Sequence, residues 1–120
     1  ENVHFLGYHR DIPEICKAAD IYVFPSQREG LGIGALEGMA SGLPLISSYV
    51  NGIRDYTEDG VTGYTIQPHN IEGYVMAIRK LADNTGDRAR FGSHNMIAAQ
   101  KFDVCNTIQE IPVILDEILK

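Results

Sequence analysis

Glu29 and Glu37 stand eight positions apart, with Gly30, Gly32 and Gly34 alternating between them. A carboxylate only accepts hydrogen bonds, and it can take two donors at once. The vicinal hydroxyls of a sugar or a ribose are such donors. Glycine permits positive φ and lets a ligand approach the backbone closely. The helix expected to open at this point offers unpaired N–H groups and the positive end of its dipole. Together these make a seat for a phosphate or a diphosphate. A phosphate cradle flanked by two hydroxyl acceptors suits a nucleotide-sugar. Each part also has a plainer reading. The glycines can form a purely structural turn, Glu37 can be a helix N-terminal acid favoured by the dipole, and Glu29 can be a solvated loop acid. The spacing is neither the dinucleotide fingerprint Gly-x-Gly-x-x-Gly nor a Walker loop with its Lys-Ser/Thr.

Few other residues compete for a chemical role. No two of the four histidines have helix-ligand spacing, so no metal site is expected. His4 alternates with apolar residues and reads as a core or interface histidine, while His69 and His94 read as surface residues. Arg28 and Arg54 are the basic residues near the glycine segment, available to phosphate or sugar or simply solvated. Cys16 and Cys105 lie far apart without metal-like spacing and read as buried free thiols, a pattern that fits a reducing cytoplasm.

The glycine segment needs a strand before it and a helix after it. Residues 21–24 are four apolar residues in a row, the pattern of a strand buried on both faces, stopped by Pro25 and Ser26. A helix is predicted over 34–40. Ligands of open parallel sheets bind at the carboxyl ends of strands, which is where this loop falls. Further strands are predicted at 3–6, 44–47 and 64–66, and a helical turn at 54–58. Helices are predicted after Asp11, after Asn70 (with Ile71, Val75, Ile78, Leu81 and Ala82 as its buried stripe), over about 87–101, and after Asp103. Pro112 is expected to kink or break the last helix near 108–110. The alternation predicts an α/β fold, a Rossmann-like parallel sheet with helices on both faces.

A chain of 120 residues is one domain at most, and 44% apolar with 22% charged residues is a globular balance. The net charge of −6 argues against a broad nucleic-acid face. No stretch approaches the ~20 apolar residues of a membrane span, and no signal-peptide pattern is present. The sequence starts without Met in a strand-like segment. It reads as a piece of something longer, with upstream strands absent.

Glu29-Gly-Leu-Gly-Ile-Gly-Ala-Leu-Glu37, followed by Gly-Met-Ala-Ser-Gly-Leu-Pro-Leu-Ile, resembles the family 4 glycosyltransferases, retaining enzymes of the two-domain GT-B fold. Residues 3–8, Ala19-Asp20-Ile-Tyr-Val-Phe-Pro-Ser, Asn51-Gly-Ile-Arg-Asp55 and Asp59-Gly-Val-Thr-Gly63 extend the resemblance over nearly the whole chain. The stretch 52–55 is similar to the bacterial exopolysaccharide and capsule branch. The resemblance implies that residues 1–120 are part of one domain, the C-terminal, nucleotide-sugar-binding domain of a GT-B enzyme. It implies that Glu29 is the catalytic-site acid, meeting hydroxyls of the donor sugar. Gly30 and the backbone of Leu31, Gly32 and Ile33 would hold the diphosphate, and Glu37 the ribose hydroxyls. Tyr8, His9 and Arg10 would lie beside the nucleobase.

The implied route is same-face and assisted by the leaving group, with no covalent nucleophile, no metal and no cofactor beyond the nucleotide-sugar substrate. The implied acceptor is a glycan, a lipid-linked or a small molecule, held by an N-terminal domain. The implied setting is cytoplasmic, peripheral to the inner face of the membrane. Three departures stand out: the family's basic residues for the diphosphate lie on an upstream segment not in this sequence, the acceptor domain is not in it either, and Asp55 stands where the family often has Glu. Rival readings are a nucleotide-sugar epimerase of related fold and a non-catalytic nucleotide-sugar-binding module. A glycoside hydrolase is disfavoured, because its carboxylates flank a bond across a cleft, whereas this pair brackets a phosphate-like loop.

Overall fold

β2 (Leu45–Ser48) is the centre of the structure because all four of its residues are buried. In the computed structural model, which describes residues 2–120, β1 (Tyr22–Phe24) and β3 (Gly63–Ile66) flank it in the order β1-β2-β3. Both pairings are parallel, with Val23 beside Ile46 and Ile46 beside Tyr64. Alternation along β2 divides the core. Leu45 faces α2 (Ile33–Ala40) and packs with Ala35, Leu36, Met39 and Ala99. Ile46 faces the other way, onto Ala77 and Leu81 of α3 (Ile71–Asp83) and Phe91 of α4 (Thr85–Ala99). Each such large apolar side chain withdrawn from water contributes about 1.5–3 kcal/mol. Helices thus cover both faces of a parallel sheet, as expected.

Gly34 and Gly38 lie one turn apart on α2. A Cβ at Gly38 would fall 2.5 Å from the Tyr22 ring, and one at Gly34 would fall 3.0 Å from Phe24. Their bareness brings α2 down onto the aromatic residues of β1. At the amino-terminal end of the strands, buried Asn95 of α4 donates to the carbonyls of Leu43 (2.8 Å) and Thr62 (2.7 Å). Leu43 lies two residues before β2 and Thr62 one residue before β3.

Several expectations are corrected. Residues 3–6 form no strand, and Phe5 is 97% exposed. Two edges of backbone are needed to make a strand, and β1 pairs only with β2. His4 is accordingly exposed rather than in a core. β1 is buried on one face only: Tyr22 and Phe24 pack against α2, while Val23 is 38% exposed. Asp11 precedes α1 (Ile12–Lys17) without capping it, because its carboxylate bonds His9 instead.

The turn after β2 is a 3-10 helix at Asn51–Asp55, earlier than predicted. The buried side of α3 is Tyr74, Ala77 and Leu81, while Ile71, Val75 and Ile78 are exposed. Tyr74 packs on the Ile46, Ala77, Leu81 and Phe91 cluster, and a hydrogen bond of 2.6 Å joins its hydroxyl to that of Ser48 in β2. Asn70, Asn84 and Asp103 cap α3, α4 and α5 (Val104–Ile118) through their side chains. α5 runs through Pro112 as one helix, without the expected break, and every one of its residues is exposed. Cys105, in its first turn, is therefore exposed, whereas Cys16 is buried.

Candidate functional site

Two loops leave the carboxyl ends of neighbouring strands and meet. Residues 25–31 follow β1 and lead into α2; residues 49–56, with the 3-10 turn, follow β2. They touch backbone to backbone, since a Cβ at Gly52 would fall 1.5 Å from the carbonyl oxygen of Gly30. Only a residue without a side chain fits at Gly52. Of the three alternating glycines, Gly32 alone takes positive φ, at 74°. A Cβ there would also meet the Tyr56 hydroxyl at 2.9 Å. Gly30 has open space around it, and Gly34 is required for packing on Phe24 rather than for its own backbone.

Gly32 is the N-cap of α2, and its carbonyl accepts from Ala35 (3.0 Å) and Leu36 (3.3 Å). Among the described residues, the amides of Gly32, Ile33 and Gly34 donate to no protein oxygen. Unpartnered amides at a helix start, with the helix dipole behind them, attract an anion. Tyr56 braces the same turn, its hydroxyl donating to the carbonyl of Leu31 (2.6 Å) and reaching that of Gly32 (3.2 Å). Burial, and after it the charge of Glu29, push the Tyr56 hydroxyl up to about 12.

Glu29 is half-buried, and its Oε1 accepts from the Ser26 hydroxyl at 2.8 Å. Its Oε2 takes no protein donor among the described residues, so it is available to an outside hydroxyl. Glu37 is exposed. It lines a cleft of about 510 Å³ with Leu31 and Ile33 at the helix start and Met96, Gln100 and Phe102 opposite. The two carboxylates influence different neighbours: Glu29 raises the Tyr56 hydroxyl, and Glu37, after burial and Cys16, raises that of Tyr22.

The loop with Tyr8, His9 and Arg10 is exposed. His9 bonds Asp11 through Nδ1 and the Leu6 carbonyl through Nε2, both at 2.9 Å. The His9 bond holds the Asp11 carboxyl below its usual range. No hydrogen bond among the described residues joins residues 8–10 to the glycine loop. Arg54 stacks over Tyr49 at 4.3 Å, and Arg28 is exposed. No cluster of three or more His, Cys, Asp or Glu able to hold a metal occurs among the described residues. No helix among them is long and apolar enough to cross a membrane. Sequence reasoning missed Tyr56, Gly52 as a contact surface, and Ser26. The one available signal was that Gly52 and Tyr56 lie in or beside the stretch resembling the family's next loop.

A parallel sheet covered by helices on both faces, with a glycine loop leading from the carboxyl end of a strand into a helix start, defines a Rossmann-like α/β domain. The sequence model for glycosyl transferases group 1 matches residues 1–96, and the chain belongs to that family. It is 35% identical over 79 residues to the UDP-Gal:alpha-D-GlcNAc-diphosphoundecaprenol alpha-1,3-galactosyltransferase of Escherichia coli, covering 66% of this chain and 20% of that protein. It is 35% identical over 86 residues to the D-inositol 3-phosphate glycosyltransferase of Streptomyces griseus, covering 72% of this chain and 18% of that one. Among solved structures, Anabaena HepE in complex with UDP-glucose superposes with a TM-score of 0.90 at 31% identity, over 98% of this chain and 33% of that one. The fold is also that of a sucrose-phosphate synthase from Thermosynechococcus elongatus (TM-score 0.82, 24% identity, 88% of this chain and 27% of that one). The chain therefore spans between about a fifth and a third of the length of these four proteins.

Proposed function

We infer that this chain is the donor-binding domain of an enzyme that transfers a sugar from a nucleotide diphosphate sugar to an acceptor, with retention at the anomeric carbon. The observation that carries this reading is the trio of unpartnered amides at Gly32, Ile33 and Gly34, bracketed by Glu29 and Glu37. Those amides, with Gly30 and Leu31 alongside, hold the diphosphate and stabilise the charge it gains as it leaves. Glu37 takes the ribose hydroxyls. Glu29, steadied by Ser26 through one oxygen, uses the other to hold the transferring sugar, where positive charge develops. Tyr8, His9 and Arg10 form the side of the site nearest the nucleobase. Catalysis rests on positioning and leaving-group stabilisation, without metal or covalent nucleophile.

HepE, whose match covers 98% of this chain and 33% of its own, was solved with UDP and with UDP-glucose, which supports a nucleotide-sugar donor. The Escherichia coli relative's lipid-linked substrate supports an acceptor of that class, met at the cytoplasmic face of the membrane. We place the parent enzyme in the exopolysaccharide and capsule branch on the stretch 52–55. The test is thermal-shift and calorimetric screening of the full-length enzyme with UDP, GDP, ADP and their sugars. Ligand at about 100 times its Kd raises stability by ~2.7 kcal/mol. NMR of the first-formed product then reads the anomeric configuration. No stabilisation by any of these nucleotides overturns the reading, and an inverted product overturns retention.

A further inference from the structure

We propose that Tyr56 is a positioning residue whose hydroxyl, by holding the carbonyls of Leu31 and Gly32, aims the Gly32 and Ile33 amides at the donor diphosphate. The proposal rests on the functional reading above and adds a residue that neither composition nor motif spacing marks.

A trans peptide unit is planar, and its C=O and N–H point in opposite directions. No cis bond occurs among the described residues. The carbonyl of Leu31 shares a plane with the amide of Gly32, and the carbonyl of Gly32 shares one with the amide of Ile33. Drawing both carbonyls toward Tyr56, at 2.6 and 3.2 Å, therefore turns both amides away from it. Without the tether the Leu31–Gly32 unit would be loose, whereas the Gly32 carbonyl is also held by the Ala35 and Leu36 amides. The two units meet at a glycine in the left-handed region (φ 74°), the residue type with the widest backbone freedom.

The tether reaches across 25 and 24 residues of sequence and is itself anchored. The Tyr56 ring packs edge-on against Phe102, with centroids 5.3 Å apart. The turn just before it rests on the loop through the Gly52–Gly30 contact. Gly32 has no Cβ, and that gap admits the hydroxyl. The hydroxyl has one proton, already committed to these carbonyls, so it has no donor left for a phosphate oxygen and acts on the diphosphate through the backbone. Its position near 12 keeps that proton in place throughout the neutral and mildly alkaline range.

The experiment uses the full-length enzyme and whichever of UDP, GDP or ADP it binds. Tyr56→Phe keeps the ring and deletes the hydroxyl. Thr57→Val is the control, because the Thr57 hydroxyl bonds the Ile53 carbonyl at 2.8 Å in the same turn without touching the glycine loop. Calorimetry measures the Kd of the nucleoside diphosphate and of the bare nucleoside. Tyr56→Phe is expected to weaken the diphosphate about 10-fold, the order of one or two hydrogen bonds, and to leave the nucleoside unchanged. Thr57→Val is expected to leave both unchanged while shifting the ligand-free melting temperature as much as Tyr56→Phe does.

Gly52→Ala gives a second route. It leaves Tyr56 intact but drives its turn off Gly30, and it should show the same loss confined to the diphosphate. Unchanged diphosphate affinity in Tyr56→Phe overturns the proposal, as does equal weakening of diphosphate and nucleoside. If the unaltered enzyme binds none of the three nucleotides, the functional reading itself fails and the tether has no ligand to serve.

Discussion

Helix α2 has two glycines in eight residues, a composition too poor and too short to hold an isolated helix in water. Helix α5 has fifteen residues and a sharply two-sided sequence, with Val104, Ile108, Ile111, Leu115 and Ile118 along one seam. Yet four residues of α2 are buried, and none of α5 is. α2 is held by its surroundings: aromatic rings of β1 beneath it, α4 beside it, and Tyr56 at its start. α5 extends from the body, and the molecule measures 59 Å in its longest direction against 28 Å in the other two. An amphipathic pattern shows which face a helix needs covered. Whether that face is covered depends on what reaches it.

Substitutions should separate the two helices sharply. The largest effects belong to the carboxylates around α2, measured in the full-length enzyme. Glu29→Gln should lower kcat by about 100-fold or more, because its interaction strengthens as the diphosphate departs. Glu37→Ala should instead raise the donor KM and the nucleotide Kd by about 10- to 150-fold with kcat little changed, the signature of uniform binding. Steady-state kinetics with calorimetry reads both. The reverse pattern, or equal losses in both, would show that the two roles are misassigned.

Next comes the packing of α2. Gly38→Ala improves helix propensity on paper, but its Cβ would fall 2.5 Å from the Tyr22 ring. The variant should lose about 1–3 kcal/mol in urea denaturation, and a neutral or stabilised variant would count against that close approach.

The alkaline limb is smaller. Tyr56 lies near 12 in the folded chain against 10.0 ordinarily. A raised value means the folded state keeps its proton longer, so this contribution is complete below pH 10 and declines as pH rises toward 12. Tyr56→Phe should flatten that part of the stability–pH curve, and an unchanged slope would refute it. The smallest effect is on α5, where Ile111→Ser should move the stability of this chain by no more than ~0.5 kcal/mol. A loss several times larger would mean that α5 is covered after all.

What could be read in advance divides along the same line. The caps at Asn70 and Asp103 were legible because a cap is a local bond, made within two or three residues. The strand–glycine loop–helix unit was legible because each of its parts has its own composition. Residues 3–6 have strand composition and form none, since pairing depends on a neighbour that the segment itself does not encode. The buried side of α3 was misplaced because Tyr74, Ala77 and Leu81 meet Ile46 and Phe91, partners that the helix's own periodicity does not encode. In the site, Glu29 and Glu37 were visible from spacing. Tyr56 was not, because its meaning arises only when a residue 25 positions away folds back onto it.

Asn95 has a consequence for how such a domain tolerates substitution. Its two amide hydrogens fasten α4 to the turns entering β2 and β3. The loops that would meet a ligand leave the other end of the sheet, after β1 and β2. Fastening and recognition thus occupy opposite ends of one short sheet. A substitution in those loops therefore leaves both Asn95 hydrogen bonds in place, and the strands keep their register beneath it.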